Sequence, residues 1–214
     1  MAKAILPPFE ARGANPTQIN SEYFMRNENI MKALKHFITI TKHRHKVIEH
    51  CFKAGIGFQG LFHDLSKYAP VEFLAGARYY QGTRSPNEEE RRLFGYSKAW
   101  MHHKGRNRHH FEYWTDYNPR TKLVEPVEMP LNYVAEMFCD RVAASKIYNG
   151  KAYKDSDPLE YFLKAKARRV IHKKTSEELE NLLTMLRDKG EKDTFAYLKS
   201  RIKAYRKQKK SRAN

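Results

Sequence analysis

The chain has 214 residues, enough to bury one hydrophobic core with or without an extension. Its apolar stretches, such as 38–41, are far too short to span a bilayer, and prolines interrupt the N-terminus, so we expect no membrane span and no signal peptide. Two cysteines, Cys51 and Cys139, are too few for a disulfide framework and indicate reduced, half-buried thiols in a cytoplasmic protein.

The predicted elements are helical from one end of the chain to the other. Prolines and a glycine favour an extended arm over residues 1–20, whereas apolar residues recur with a helical period after it. No stretch alternates as a strand does, and two prolines with mixed charges favour a loop over 116–128. Thr175 and Glu178 resemble a capping box. The predicted helices cover about 28–53, 58–68, 71–81, 86–103 and 130–148, one that begins near 157, one near 175, and 192–207.

These elements predict an all-α fold in three parts. Residues 1–20 form the extended N-terminal arm, and 21–150 form a helical bundle that carries the histidines. Residues 151–214 form an appended segment of basic helices and a tail, because residues 201–214 contain seven Lys or Arg and no acid.

The ten histidines are unevenly distributed, and their spacing indicates a metal site. His36, His43 and His50 recur every seven residues and share one helix face, on which His45 does not lie. His63 precedes an aspartate, four histidines lie between 102 and 110, and Asp140 lies in an apolar helix. Imidazole and carboxylate together are the ligands of Mn, Fe, Co, Ni or Zn.

Each feature also has an ordinary structural interpretation. A single histidine is more often structural or exposed, and HHKGRNRHH also reads as a basic surface loop. Asp64 also suits a helix cap, and Asp140 suits an ion pair with Arg141 or another cation. The conjunction of these features in one order favours the metal site over the separate interpretations.

The order H…HD…D resembles that of the HD superfamily of metal-dependent phosphohydrolases. The matching segments are HRHKVIEH, LFHDLSKY and MFCDRVAASKIY, within about residues 30–150. The segment HHKGRNRHHFEYW is not general to the superfamily; it looks like that of a small bacterial and phage branch and also resembles the extra histidines of two-metal members. The resemblance implies an HD-domain helical bundle over 21–150.

The resemblance also implies roles for residues. The first metal would be held by His43, His63, Asp64 and Asp140. A second would be held by His102 with one or both of His109 and His110, unless these contact phosphate, and Asp64 would bridge the two. Catalysis would depend on Asp64 and Lys67. The substrate phosphate would be bound by Lys67, His103, Lys104, Arg106 and Arg108, although a solvated basic loop is an equal interpretation of the two arginines.

Four functions follow as hypotheses. The first is a phosphohydrolase with one or two divalent transition metals, acting on a nucleotide or a similar small phosphate. The net charge of +17, which attracts polyanions, and the aromatic residues among the bases of RHHFEYW suggest a nucleic-acid binder or nuclease. The third is a di-iron oxygenase of the HD type. The fourth is a binding domain that keeps metal only for structure.

Overall fold

The computed structural model describes residues 16–213, with side-chain burial given for 27–212. This part of the chain is mostly helical, as the sequence predicted, and its one sheet is a two-stranded antiparallel hairpin of β1 (Thr115–Asn118) and β2 (Leu123–Pro126). The helices are α1 (Pro16–Lys53), α2 (Gly57–Gly60), α3 (Pro70–Arg78), α4 (Pro86–Phe94), α5 (Lys98–Lys104), α6 (Leu131–Asn149), α7 (Asp157–Lys164) and α8 (Lys173–Ala213).

The hairpin corrects the prediction of a loop over 116–128. Tyr117 pairs with Val124 and Asp116 with Glu125, and the turn places Lys122 at a φ of 61°. Each strand has only four residues, and most of their side chains are exposed. The sequence therefore contains no alternation of apolar and polar residues long enough to predict a strand.

Four helix boundaries also differ from prediction. α1 begins at Pro16, inside the range predicted as an extended arm; residues 1–15 lie outside the described part. The helix predicted over 86–103 is divided into α4 and α5 at Gly95. α8 begins before Thr175, whose hydroxyl accepts from the Met129 N–H at 3.0 Å instead of capping the helix. The predicted start near 192 coincides with a kink at Gly190.

One hydrophobic core joins the N-terminal and C-terminal helices. It contains Cys51 of α1, Phe138 of α6, Phe162 of α7 and Leu183 of α8, all fully buried. Cys139 is also buried, and both thiols are free. Because α6 packs against α1 on one side and α8 on the other, residues after 150 complete the core that supports α6.

The packing of α1 against α6 and α3 determines where the polar residues meet. The turn that follows α2 and the helix α5 lie at the same end of this assembly, so the His and Asp side chains of four segments face one another. In the described part of the chain, no helix combines the length and the hydropathy that crossing a bilayer requires.

Candidate metal centre

The His63–Asp64 pair lies in a turn, where the helix predicted over 58–68 is interrupted. α2 ends at Gly60, and a 3-10 helix follows over Leu65–Tyr68. The guanidinium of Arg44 in α1 donates to the carbonyl oxygens of Leu61 at 2.5 Å and His63 at 3.2 Å, which ties the turn to α1. Asp64 adopts a left-handed conformation with a φ of 52°. This break in the helix allows two adjacent side chains to face the same point.

Four side chains form the first cluster: His43 from α1, His63 and Asp64 from the turn, and Asp140 from α6. Nε2 of His43 lies 2.9 Å from Oδ1 of Asp140, and Nε2 of His63 lies 3.7 Å from the same oxygen. Nε2 of His63 also lies 3.2 Å from Oδ2 of Asp64. The donor atoms of the four all lie within 4.8 Å of one another.

A second cluster shares Asp64 with the first and adds three histidines: His103, His109 and His110. Oδ1 of Asp64 lies 3.2 Å from Nε2 of His103 and 3.4 Å from Nε2 of His109. Nε2 of His103 and Nε2 of His110 are 2.9 Å apart. The two oxygens of Asp64 therefore face different groups, Oδ2 the first cluster and Oδ1 the second.

Several of these donor atoms are buried without a hydrogen-bond partner. Among the described residues this holds for Nε2 of His43, His63 and His109 and for Oδ1 of Asp64, whereas Oδ2 of Asp64 forms an ion pair with Nζ of Lys67 at 2.6 Å. His43 and Asp140 are close enough to bond but are not oriented as a bonded pair. Buried polar atoms left unpaired are costly, whereas atoms that converge on one point suit a cation. The donor set of imidazole and carboxylate fits a divalent transition metal.

Two glutamates orient the histidines of the clusters. Oε1 of Glu136 lies 2.9 Å from Nδ1 of His63 and 3.2 Å from Nδ1 of His109, and Oε2 of Glu72 lies 2.7 Å from Nδ1 of His103. An ionised carboxylate can only accept, so each Nδ1 carries a proton; when the ring is neutral, as metal binding requires, its Nε2 presents a lone pair to the cluster. This is the usual support of a metal-binding histidine. His63, His109 and Glu136 therefore form an orienting group, although their atoms are also close enough to hold an ion.

Comparison with protein families identifies the group to which this arrangement belongs. The family model described as a family of unknown function, DUF5662, matches residues 32–185, which include both clusters. The chain belongs to the DUF5662 family. No curated protein and no solved structure matched the chain.

The carboxylates at the centre of this DUF5662 chain are ionised. Burial raises the pKa of Asp64, but His63, Lys67 and His103 outweigh burial and hold it well below its ordinary range. Asp140 is affected in the same way, with burial opposed by His43 and His63. Burial lowers the pKa of His63, yet the neighbouring carboxylates raise it well above its usual value. These opposed effects indicate that the buried carboxylates require positive charge beside them.

Two imidazoles of the clusters are neutral at physiological pH. Burial, with Lys67 nearby, lowers the pKa of His43. Burial, with the adjacent rings of His109 and His103, lowers the pKa of His110 well below its ordinary value. A neutral imidazole is the form that binds metal, so both rings are already in the protonation state that a metal ligand requires.

The structure distributes the predicted second-metal and phosphate residues differently from the sequence prediction. It brings His103 into the second cluster, whereas Nδ1 of His102 lies 2.6 Å from Oε1 of Glu72 and no atom of His102 joins either cluster. Both rings contact Glu72 of α3 through Nδ1, but adjacent residues of a helix point in different directions, and of the two it is His103 whose Nε2 lies near Asp64, at 3.2 Å. The spacing of the histidines could not distinguish the two.

Among the basic residues predicted to bind phosphate, Lys67 lies at the centre. Its Nζ is 2.6 Å from Oδ2 of Asp64, and Asp64 with Asp140 raises its pKa despite burial. Arg106 and Arg108 are exposed; the first donates to the His102 carbonyl and the second lies over the ring of Tyr113. Neither arginine, nor Lys104, forms an ion pair with either cluster in the described part of the chain.

The remaining histidines of α1 have separate environments. His43 joins the first cluster, and His36 is buried against the rings of Phe73 and Tyr80. His50 is buried in the core, with Nδ1 3.3 Å from the Cys139 carbonyl oxygen. His45 is exposed. Arg141, the alternative partner predicted for Asp140, lies over the ring of Phe162. Sequence analysis missed Glu136 and Glu72; Glu136, a carboxylate one helical turn before Asp140 in an apolar helix, was a signal that it did not use.

Proposed function

We propose that the chain is a metal-dependent hydrolase of the HD type that acts on a phosphate ester, a nucleotide or a related small phosphate. The observation that carries this proposal is the division of the Asp64 carboxylate between two groups of histidines. A carboxylate has two oxygens to share and suits two cations, whereas a purely structural site needs only one closed set of ligands.

The residues available would hold two divalent transition metals. His43, His63 and Asp140 would complete the first set with Oδ2 of Asp64, and His103, His109 and His110 would complete the second with Oδ1. A metal pair of this kind supplies a nucleophilic water at neutral pH and neutralises charge on the phosphoryl group.

The chain's own groups would then position the substrate. Lys67 stays protonated beside Asp64 and provides a fixed positive charge for a phosphate oxygen. Glu136 and Glu72 hold the protons on the outer nitrogens of His63, His109 and His103, so these rings keep one orientation during the reaction.

The test is metal analysis of the purified protein, followed by a screen of phosphate esters for release of inorganic phosphate without oxygen. His43→Gln should lose bound metal and activity, and His45→Gln is its matched control because His45 is exposed on the same helix. Activity that requires iron and oxygen would support an HD-type oxygenase instead. Full activity in His43→Gln, or no release from any ester by metal-loaded protein, would contradict the proposal.

Nucleic-acid binding is the second candidate, and the end of α8 favours it. Every residue from Arg206 to Arg212 is exposed, and five of these seven are Lys or Arg. Deleting 207–214 should weaken binding to a DNA duplex and reduce the dependence of the binding constant on salt, because fewer phosphates are contacted. Metal content should stay unchanged. Equal affinity and salt dependence in the truncated protein would remove this surface from consideration.

A further inference from the structure

A small cavity lies beside the two clusters, and the proposed reaction leaves it without a ligand. Lys67 and His103 line the side of the cavity next to the clusters. Thr39 of α1, Tyr80 and Asn87 near the two ends of the α3–α4 connection, and Tyr148 near the end of α6 line the rest. The part of a substrate attached to a phosphate at Lys67 would therefore extend into this cavity.

The volume of the cavity limits the size of that group. The cavity measures about 70 Å³. One water needs roughly 10–15 Å³ on such a scale, so there is room for about five, and five waters occupy about 150 Å³ in the liquid. The enclosed part is comparable in volume to a single sugar ring, and the rest of the cavity is open to solvent.

The hydrogen-bonding groups of the cavity favour hydroxyls over hydrocarbon. The Thr39 hydroxyl donates to the Lys35 carbonyl oxygen at 2.9 Å, so the Tyr80 hydroxyl, 2.9 Å away, must donate to Thr39. The Tyr80 oxygen is then left to accept from a ligand. Tyr148 keeps its proton because burial raises its pKa, and it can donate. A sugar hydroxyl, which donates and accepts, suits both groups.

Lys67 and Arg84 are the basic residues besides histidine that line the cavity, and their contacts differ. Arg84 also lines the cavity, but its guanidinium donates to Glu89 at 2.9 Å and to Gln81 at 2.7 Å. Two of its nitrogens are therefore engaged outside the clusters, although Glu89 is shared with Arg92, which lies 2.6 Å from the same carboxylate. Lys67 lies at the side of the clusters, which is where the single phosphate of a monoester would lie.

We propose that this cavity binds a polyhydroxylated group the size of a pentose, so that the substrate is a sugar monophosphate. This inference rests on the proposed hydrolase function, whose phosphate site it extends. Tyr80, on this view, selects hydroxylated substrates, and the clusters act on the phosphate.

The experiment compares ribose 5-phosphate with n-pentyl phosphate, which has the same number of carbons and no hydroxyls. Binding of their non-hydrolysable phosphonate analogues to the metal-loaded protein is measured by calorimetry, and the KM of each ester is measured in parallel. Wild-type protein should bind the sugar phosphonate at least about 10-fold more tightly. Tyr80→Phe should reduce that affinity about 3- to 10-fold, the worth of one net hydrogen bond, and leave pentyl phosphonate binding unchanged.

Tyr79→Phe is the matched control, because Tyr79 is the adjacent tyrosine, does not line the cavity and packs against Phe94. Equal affinity of the wild type for both phosphonates, or an unchanged preference in Tyr80→Phe, would overturn the cavity assignment. If pentyl phosphate is hydrolysed as well as the sugar phosphate, the cavity assignment fails and the hydrolase remains. If the sugar phosphonate binds selectively but no ester is cleaved, the assignment stands and the hydrolase fails.

Discussion

Replacing Asp64 with Asn should abolish the metal binding proposed for the two clusters while leaving the protein folded. Asn is the suitable replacement because it tolerates the left-handed conformation that Asp64 adopts at a φ of 52°, whereas Ala would be strained there by about 1–2 kcal/mol. Asp64→Gly serves as a second variant, since it keeps the backbone conformation and removes the side chain altogether.

The expected loss follows from the contacts of the carboxylate. Oδ2 lies 3.2 Å from Nε2 of His63, and Oδ1 lies 3.2 Å from Nε2 of His103, so Asp64→Gly takes a donor from each cluster. Asp64→Asn replaces one of the two oxygens by an NH2 group and leaves the other without negative charge. Removing only an outer hydrogen-bond partner of a metal ligand costs about 10- to 100-fold in affinity. A shared ligand should cost more than about 100-fold, or about 2.8 kcal/mol, at each site.

The assay measures metal per chain after purification and Mn²⁺ affinity by calorimetry, with circular dichroism as the control for helix content. Both variants should be as helical as wild type and should lack metal and phosphate-ester hydrolysis. A helical Asp64→Asn protein that keeps its metal and its activity would refute the shared-ligand interpretation.

Three further predictions concern single side chains. Glu136→Gln removes the anionic acceptor beside His63 and should weaken metal binding about 10- to 100-fold by calorimetry; unchanged affinity would exclude its orienting role. Burial lowers the pKa of His50 to about 4, so the unfolded chain binds its proton first as the pH falls and stability is lost between about pH 6.5 and 4. Between pH 7 and 5, the free energy of unfolding of His50→Gln, measured by urea denaturation, should therefore fall by about 2 kcal/mol less than that of the wild type. His45→Gln, the control, should show the wild-type pH dependence, and the same dependence in His50→Gln would refute the prediction. Gly190 has φ 75° and ψ 175°, a backbone conformation that is strained for residues other than glycine, so Gly190→Ala should destabilise the protein by about 1–3 kcal/mol. Gly105→Ala is the control, because Gly105 has a φ of −71°, and it should barely change the melting temperature. Equal melting temperatures for the two variants would show that Gly190 is not strained by a side chain.

The sequence was sufficient to predict that the chain is mostly helical and that its His and Asp residues could form a metal site. A helical period in the apolar residues is a local property, so α1 and α6 are recognisable without the rest of the fold. The types and order of His43, His63, Asp64 and Asp140 likewise require no coordinates, because imidazole and carboxylate are ligands of divalent transition metals in any fold.

Only the tertiary structure decided which neighbours face the centre. α5 has seven residues, too few for a period to identify its inner face, so the choice between His102 and His103 depended on which ring folding brings to Asp64. The same holds for Glu136, whose role comes from two histidines that lie 73 and 27 residues before it and that folding brings to its carboxylate. The left-handed turn at Asp64 depends on Arg44 of α1, which holds the preceding carbonyls. The type of a residue determines whether it can bind metal, whereas the direction of its side chain and its distance from the other ligands depend on tertiary packing.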